Sequence, residues 1–160
     1  MWGHVWSSLG YVAILVDGFG PRGYPQGFPR GSYDQRPEAL NEVTVRPLDA
    51  YGALTYLRTR PDVLANRVAL QGWSNGGSAT LATMSESTPA LKSPTPTTGF
   101  RGALAFYPAC GLKGQFEDGV VPYAPRVFGT PSFAYSAPPM AMIGGTVVIV
   151  STLLTTVGAA

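Results

Sequence analysis

Three apolar runs along the chain predict the strands of a sheet. Residues 11–16 (YVAILV) form a continuous apolar run rich in β-branched side chains, which is typical of a central parallel strand covered on both faces. Residues 68–71 and 101–107 are two further runs, and the second ends before Pro108. We therefore expect at least three strands within the first two thirds of the chain.

Two helical segments separate these strands. Four apolar residues share one helical face between the first two runs: Ala50, Ala53, Leu54 and Leu57. This helix should begin near Pro47, and Arg46 and Asp49 stand one turn apart, so that they could pair. A second helix should end near Met84. The alternation of strand and helix predicts an α/β fold with a mostly parallel sheet flanked by helices.

The composition changes beyond residue 125, and we divide the chain there into a domain (1–125) and an apolar tail (126–160). Arg126 is the only charged residue from 119 to 160, and the last twenty residues have none. A transmembrane helix, one or two buried strands (TVVIV and STLLTTV), or sequence foreign to the fold after a shifted reading frame would each fit this tail.

Charge and cysteine content narrow the function classes. The net charge of +2 comes from scattered Arg and Lys, which argues against a nucleic-acid surface. The single cysteine, Cys110, cannot form an internal disulfide, and no second thiol or histidine stands at metal-ligand spacing. No base partners Cys110 as a nucleophile. Because no signal-peptide pattern is present either, we expect a cytoplasmic protein without a metal.

A glycine pattern follows the first strand. Residues 18–23 (GFGPRG) match G-x-G-x-x-G, the fingerprint of a dinucleotide-binding turn. In that motif a helix begins inside the pattern, but four prolines and glycines within residues 25–31 forbid one here. The dinucleotide motif also needs an acidic residue at the end of a second strand, about twenty positions further on. The acidic residues found there, Glu38 and Glu42, lie instead in or just before the helical segment. We therefore predict a functional loop at the carboxyl edge of the sheet and no organic cofactor.

The strongest chemical signal follows the second strand. Residues 72–76 (GWSNG) match the nucleophile elbow G-x-S-x-G, in which small residues let the chain reverse and expose the serine. Ser74 is the candidate nucleophile, and the backbone N–H of Asn75 would supply half of an oxyanion hole. The alternative is a tight turn with Ser74 as helix N-cap. Aromatic residues could line an apolar pocket nearby or belong to the core: Trp73, Phe19, Tyr107 and Phe28.

Four segments carry a resemblance to a known family: LGYVAILVDGFGPRG, YDQRPEALNEVTVRPLDAYGALTYLRTRPDV, RVALQGWSNGGSATLATM and GFRGALAFYPACGL. Over residues 6–116 the chain resembles the dienelactone hydrolase family of the α/β-hydrolase superfamily. The resemblance implies a partial α/β-hydrolase fold and hydrolysis of small carboxylic esters or lactones through an acyl-enzyme. Many members carry cysteine as nucleophile, so that Ser74 points to the esterase-like members.

The chain departs from the superfamily pattern in its triad. The superfamily order is nucleophile, acid, histidine. After Ser74 the acids are Glu86, Glu117 and Asp118, and no histidine follows; the single histidine, His4, precedes the first strand. Gly129-Thr130 echoes the start of the usual acid turn without its Asp, and the chain begins too late to hold the usual His-Gly loop.

We therefore expect a truncated enzyme with impaired activity. Two alternatives remain open. The first is a catalytically inactive hydrolase-like binding module, and the second is a membrane-associated protein anchored by residues 141–160.

Overall fold

The computed structural model describes residues 2–28, 36–85 and 98–108, together with the backbone of residues 127–129 and 147–153. Short 3₁₀ turns cover Gly20–Arg22 and Glu38–Leu40. The described elements are, in chain order, α1 (Trp2–Ser8), β1 (Tyr11–Val16), α2 (Arg46–Arg58), β2 (Val63–Trp73), α3 (Asn75–Met84), β3 (Gly102–Phe106), β4 (Val127–Gly129) and β5 (Val147–Leu153).

The five strands form one sheet in the order β1-β5-β2-β3-β4. Strands β2, β3 and β4 pair in parallel, whereas β5 runs antiparallel to both of its neighbours, β1 and β2. It follows that β1 points in the same direction as β2. The architecture confirms the predicted α/β class with a mostly parallel sheet flanked by helices.

Helices α2 and α3 pack on one face of this sheet and enclose the main core. Helix α2 begins at Arg46 with Pro47 in its first turn, where a missing N–H costs nothing, as the sequence predicts. Helix α3 ends at Met84, also as predicted. The buried apolar residues of this layer come from both helices, β2 and β3: Ala50, Tyr51, Leu54, Leu57, Val63, Val68, Leu70, Ala79, Met84, Phe100 and Ala103.

Helix α1 lies on the opposite face and was not predicted from the sequence. Its Trp6 indole N–H donates a 2.7 Å hydrogen bond to the side-chain oxygen of Gln71 in β2, and its ring meets Tyr11 edge-on. Trp2 stacks on Trp73 at a centroid distance of 5.4 Å. A helix of seven residues is too short to give a recognisable apolar periodicity, so that it could not be predicted from the sequence.

The prediction that residues 11–16 form a central strand is wrong in the described sheet, because β1 lies at its edge. Its side chains are only half-buried, and Leu15 on the α1 face is 60% exposed. A continuous apolar run is compatible with several positions in a sheet. Pairing with distant strands decides among these positions, and no local pattern reports that pairing.

Part of the apolar tail is a strand. Residues 147–153 form the strand β5, which spans parts of both segments of the strand alternative, while residues 141–146 and 154–160 lie outside the described residues. Both described elements beyond residue 125 belong to the same sheet as β1, β2 and β3. Within the ranges that the structure describes, no helix has the length and apolar character needed to cross a membrane.

Candidate active site

The strands β1, β2 and β3 end at one edge of the sheet. Val16 of β1 and Gly72 of β2 both lie opposite Val147 of β5, so that β1 and β2 reach the same level. The last pair between β2 and β3 joins Trp73 to Phe106. The loops that begin at residues 17, 74 and 107 therefore leave the sheet together, which is where open α/β sheets bind their ligands.

Ser74 occupies a sharp, strained turn between β2 and α3. Its backbone has φ 52° and ψ −118°, a region that non-glycine residues seldom adopt. Two hydrogen bonds hold the turn: the Ser74 N–H donates to the carbonyl of Phe106 at 3.0 Å, and its carbonyl accepts the N–H of Ser78 at 3.0 Å. The residue thus bridges β3 and the first turn of α3.

Glycines on either side of Ser74 make this turn possible. A Cβ atom at Gly72 would collide with the backbone carbonyl of Gly76, and one at Gly77 would lie 2.7 Å from the carbonyl oxygen of Phe106. Backbone atoms cannot move aside as a flexible side chain can. The pattern that predicts a nucleophile elbow is therefore explained by steric demands at these positions.

The simpler explanation of Ser74, that its hydroxyl caps helix α3, is wrong. Ser74 stands at the N-cap position but makes no side-chain capping hydrogen bond to the helix. Asn75 is the first residue of α3, and N–H groups in the first turn of a helix have no acceptor within that helix. The Asn75 N–H is thus suited to meet negative charge beside Ser74, and its role as oxyanion donor stays a prediction.

The side chain of Asn75 is buried in a polar cluster that the sequence did not reveal. Asn75 is 7% exposed, and its Nδ2–H donates a 2.9 Å hydrogen bond to Oε1 of Glu42. From the other side, Nη1–H of Arg46 donates to Oδ1 of Asn75 at 3.2 Å. Helix α2 and the turn before it therefore hold the residue that follows Ser74.

Arg46 is the centre of that cluster. It is 1% exposed, its Nε lies 3.6 Å from a carboxylate oxygen of Asp49, and its guanidinium carbon stands 4.9 Å from the ring centroid of Phe19. The predicted pairing of Arg46 with Asp49 is confirmed. Burial lowers the pKa of the Arg46 guanidinium from its usual value, and the neighbouring Asp49 opposes that shift.

The glycine-rich loop after β1 is fastened to the same cluster. Arg22 donates two hydrogen bonds to the carboxylate of Asp49, at 2.7 and 2.8 Å, and a third to the carbonyl of Gly18 at 2.7 Å. A Cβ atom at Gly18 would collide with the Arg46 guanidinium and lie 2.9 Å from Asp49. The glycine at position 18 thus leaves room for the packed ion pair of Arg46 and Asp49.

A comparison with protein families adds to this geometry. The model of the prolyl oligopeptidase family matches residues 2–134. The chain belongs to that family. It is an α/β-hydrolase family of the serine-hydrolase type, which confirms the fold expected from the sequence. The match does not extend to the finer resemblance to dienelactone hydrolases. No curated protein and no solved structure matches the chain.

In this member of the family, the aromatic residues predicted to line a pocket pack against different elements. Phe19 is 4% exposed beneath Arg46 and neighbours Phe28, whereas Trp73, Trp2 and Phe106 stack on one another in a cluster of three rings. Tyr107 is 56% exposed and has a positive φ of 36°. Tyr107 is therefore the most exposed of these rings, and a substrate-binding role of the predicted residues stays a prediction: Trp73, Phe19, Tyr107 and Phe28.

The candidates for the triad base and acid do not meet Ser74 in the described residues. His4 is exposed on α1, midway between Trp2 and Trp6, whose rings face the sheet. Side chains two residues apart on a helix point in nearly opposite directions, so that His4 faces away from the sheet. The acids that follow Ser74 lie outside the described residues: Glu86, Glu117 and Asp118. Thr130 of the echoed acid turn and Cys110, the rejected rival nucleophile, lie outside them too.

Proposed function

We propose that the chain is a slow serine hydrolase of small carboxylic esters and lactones, in which Ser74 accepts the acyl group. The observation that carries this proposal is the strained backbone of Ser74 at the junction of β2 and α3, with its hydroxyl not used to cap the helix. Strain of this kind costs free energy and is characteristic of functional sites. Membership of the prolyl oligopeptidase family supports the same chemistry.

The reaction proceeds in two steps. The Ser74 Oγ forms a bond to the carbonyl carbon, its proton passes to solvent, and the carbonyl π electrons move onto oxygen, where the Asn75 N–H stabilises the charge. The tetrahedral intermediate collapses as the bond to the leaving alkoxide breaks, and water protonates the alkoxide. Water then attacks the acyl-enzyme, the carboxylic acid leaves, and Ser74 regains a proton.

In this scheme solvent, rather than an imidazole, takes the proton of Ser74. The one histidine of the chain faces away from the sheet on α1, so that the Ser74 hydroxyl lacks the activation that an adjacent imidazole gives. Loss of a triad residue lowers turnover by about a million-fold in a well-studied serine protease. The elbow and the oxyanion donor still favour the transition state, so that hydrolysis should exceed the uncatalysed rate.

The second candidate is a peptidase, because the matched family is the prolyl oligopeptidase family. An amide nitrogen needs a proton before it can leave, and serine peptidases supply that proton from a histidine. Esters with good leaving groups have no such requirement. The geometry around Ser74 therefore favours esters over peptides as substrates of this chain.

Active-site labelling tests the proposal. A fluorophosphonate probe should label the folded chain slowly, because Ser74 lacks an activating imidazole, and Ser74→Ala should abolish the label. Ser8→Ala is the matched control, because Ser8 is an exposed serine on α1 whose hydroxyl donates a hydrogen bond to the backbone of its own helix, and its removal should leave the label unchanged. Labelling that survives in Ser74→Ala would assign the reactive group to another residue and overturn the proposal. A folded chain that takes no label would favour the hydrolase-like binding module.

A substrate pair then separates the two enzyme candidates. We expect p-nitrophenyl acetate to give an acetyl adduct on Ser74, which intact-mass measurement detects after an acid quench. A peptide p-nitroanilide with proline before the scissile bond should give no product above the Ser74→Ala background. Turnover of the p-nitroanilide at a rate comparable to that of the ester would establish the peptidase instead.

A further inference from the structure

We infer that Arg46 and Glu42 are positioning residues, which hold the oxyanion donor beside Ser74 by fixing the side chain of Asn75. The inference rests on the proposed function of Ser74 and Asn75. It assigns a role in the reaction to two side chains that lie in α2 and in the turn before it.

The hydrogen bonds fix the Asn75 amide in one orientation. A guanidinium can only donate and a carboxylate can only accept, so that Oδ1 must face Arg46 and Nδ2 must face Glu42. The two bonds measure 3.2 and 2.9 Å, and both join residues about thirty positions apart in the sequence. The amide group is therefore held from opposite sides by groups that do not belong to the elbow.

Because the side chain of Asn75 is held in place, the backbone N–H of the same residue, which is the proposed oxyanion donor, is held in place as well. Asn75 follows Ser74, whose positive φ favours relaxation toward a commoner conformation. Such strain persists only where the surroundings determine the conformation strongly, and the Asn75 side chain supplies a rigid, buried attachment one residue away. Oxyanion donors act by being held in place before the charge develops, so that the attachment bears directly on the reaction.

The burial of Arg46 supports a role beyond stability. A buried charge costs free energy, and replacing a whole buried ion pair by apolar residues of similar size is often neutral or stabilising. Arg46 shares a helical face with the core residues Ala50, Leu54 and Leu57, so that an apolar side chain would suit its position. The bond to the Asn75 amide connects this guanidinium to the elbow.

A thiol at position 74 provides a test that does not require hydrolysis. In a Cys110→Ser background, Ser74→Cys places a thiol at the elbow, and the pH dependence of its alkylation by iodoacetamide gives its pKa. Helix N-termini and nearby N–H donors lower thiol pKa values. If Arg46 holds the donor, Arg46→Met should raise this pKa by about one unit, which slows alkylation at neutral pH by about tenfold.

Arg22→Met is the matched control for loss of charge. Arg22 belongs to the same cluster through Asp49 but has no described bond to Asn75. Its replacement should leave the pKa of the introduced thiol close to that of the parent. Equal shifts in Arg46→Met and Arg22→Met would overturn the inference, because the effect would then be one of general charge.

The pair Glu42→Gln and Glu42→Ala decides the matter if Arg46→Met fails to fold. Both variants remove the same negative charge, but only Gln retains an oxygen that can accept the Asn75 Nδ2–H. We expect slower alkylation in Glu42→Ala than in Glu42→Gln, and equal rates would overturn the inference. A chain whose Ser74 takes no fluorophosphonate while these thiol shifts persist would refute the proposed hydrolase and leave the positioning role standing.

Discussion

Two glycine-rich turns leave the same edge of the sheet, and glycine is needed in them for different reasons. After β2, a Cβ atom at Gly72 would meet backbone, and the turn it permits presents Ser74. After β1, a Cβ atom at Gly18 would meet the guanidinium of Arg46 and the carboxylate of Asp49. Both turns match well-known fingerprints. A match to such a pattern is therefore explained only by the atoms that a side chain at the glycine position would contact.

Arg46 joins the two turns. On one side its guanidinium lies over the ring of Phe19 in the loop after β1, and on the other it binds Asn75 at the start of α3. A change in the loop after β1 can therefore reach the elbow through one buried side chain. The following substitutions break or sharpen the contrast between the turns.

The largest effect should come from Gly72→Ala. Because the new methyl group would collide with the carbonyl of Gly76, we expect a loss of about 3 kcal/mol in the free energy of unfolding, measured in urea. Gly52→Ala is the matched control: Gly52 lies within α2 with open space around it, so that alanine should stabilise by about 0.5–1 kcal/mol. A Gly72→Ala protein as stable as the parent would contradict the elbow geometry.

Gly18→Ala should have the next largest effect. The methyl group would displace the buried guanidinium of Arg46, at a cost of about 1–3 kcal/mol in the free energy of unfolding. Since Arg46 also binds Asn75, fluorophosphonate labelling of Ser74 should slow in the folded fraction. Unchanged labelling together with the loss of stability would show that the two turns are independent.

Gly23→Ala isolates backbone strain from steric collision. Gly23 has φ 86°, and its Cβ would meet no atom within 4 Å. Alanine there should cost about 1 kcal/mol in urea unfolding, solely because its left-handed conformation is unfavourable. The labelling rate should stay at the parent value. A cost as large as that of Gly18→Ala would mean that strain, rather than packing, governs the glycines of this loop.

The smallest effect concerns the acid dependence of the loop after β1. Hydrogen bonds from the N–H groups of Gly20 and Phe19, each 2.9 Å from Oδ1 of Asp17, lower the pKa of that carboxyl below its usual value. The resulting stabilisation is complete above the unfolded-state pKa and disappears as the pH falls through the folded-state pKa. Asp17→Asn keeps an acceptor but no titrating group, so that stability should decline less steeply below about pH 4. An acid profile identical to that of the parent would refute this.

Features set by neighbouring residues could be predicted from the sequence. The start of α2 at Pro47, the buried face of α2, and the strand, turn and helix around Ser74 all follow from local sterics and periodicity. The sequence also contains one indication of the polar cluster, because Arg46 lies on the same helical face as the apolar residues Ala50 and Leu54. A charge within an apolar face indicates a buried partner.

Features set by distant pairings could not be predicted. The edge position of β1 and the insertion of β5 between β1 and β2 depend on contacts across most of the chain. The role of Glu42 likewise depends on a hydrogen bond to a residue in another element, and nothing in its local sequence distinguishes it from a surface acid. Local patterns of residues do not predict which distant segments pair with each other.

The position of β5 has a consequence for how the protein folds. Tyr11 pairs with Thr152, so that β1 cannot form this pairing until a segment far along the chain has been made. Contacts between such distant segments slow folding, and apolar strands that are unpaired in the meantime tend to aggregate. The apolar β1 should therefore be a binding site for molecular chaperones while the nascent chain is still on the ribosome.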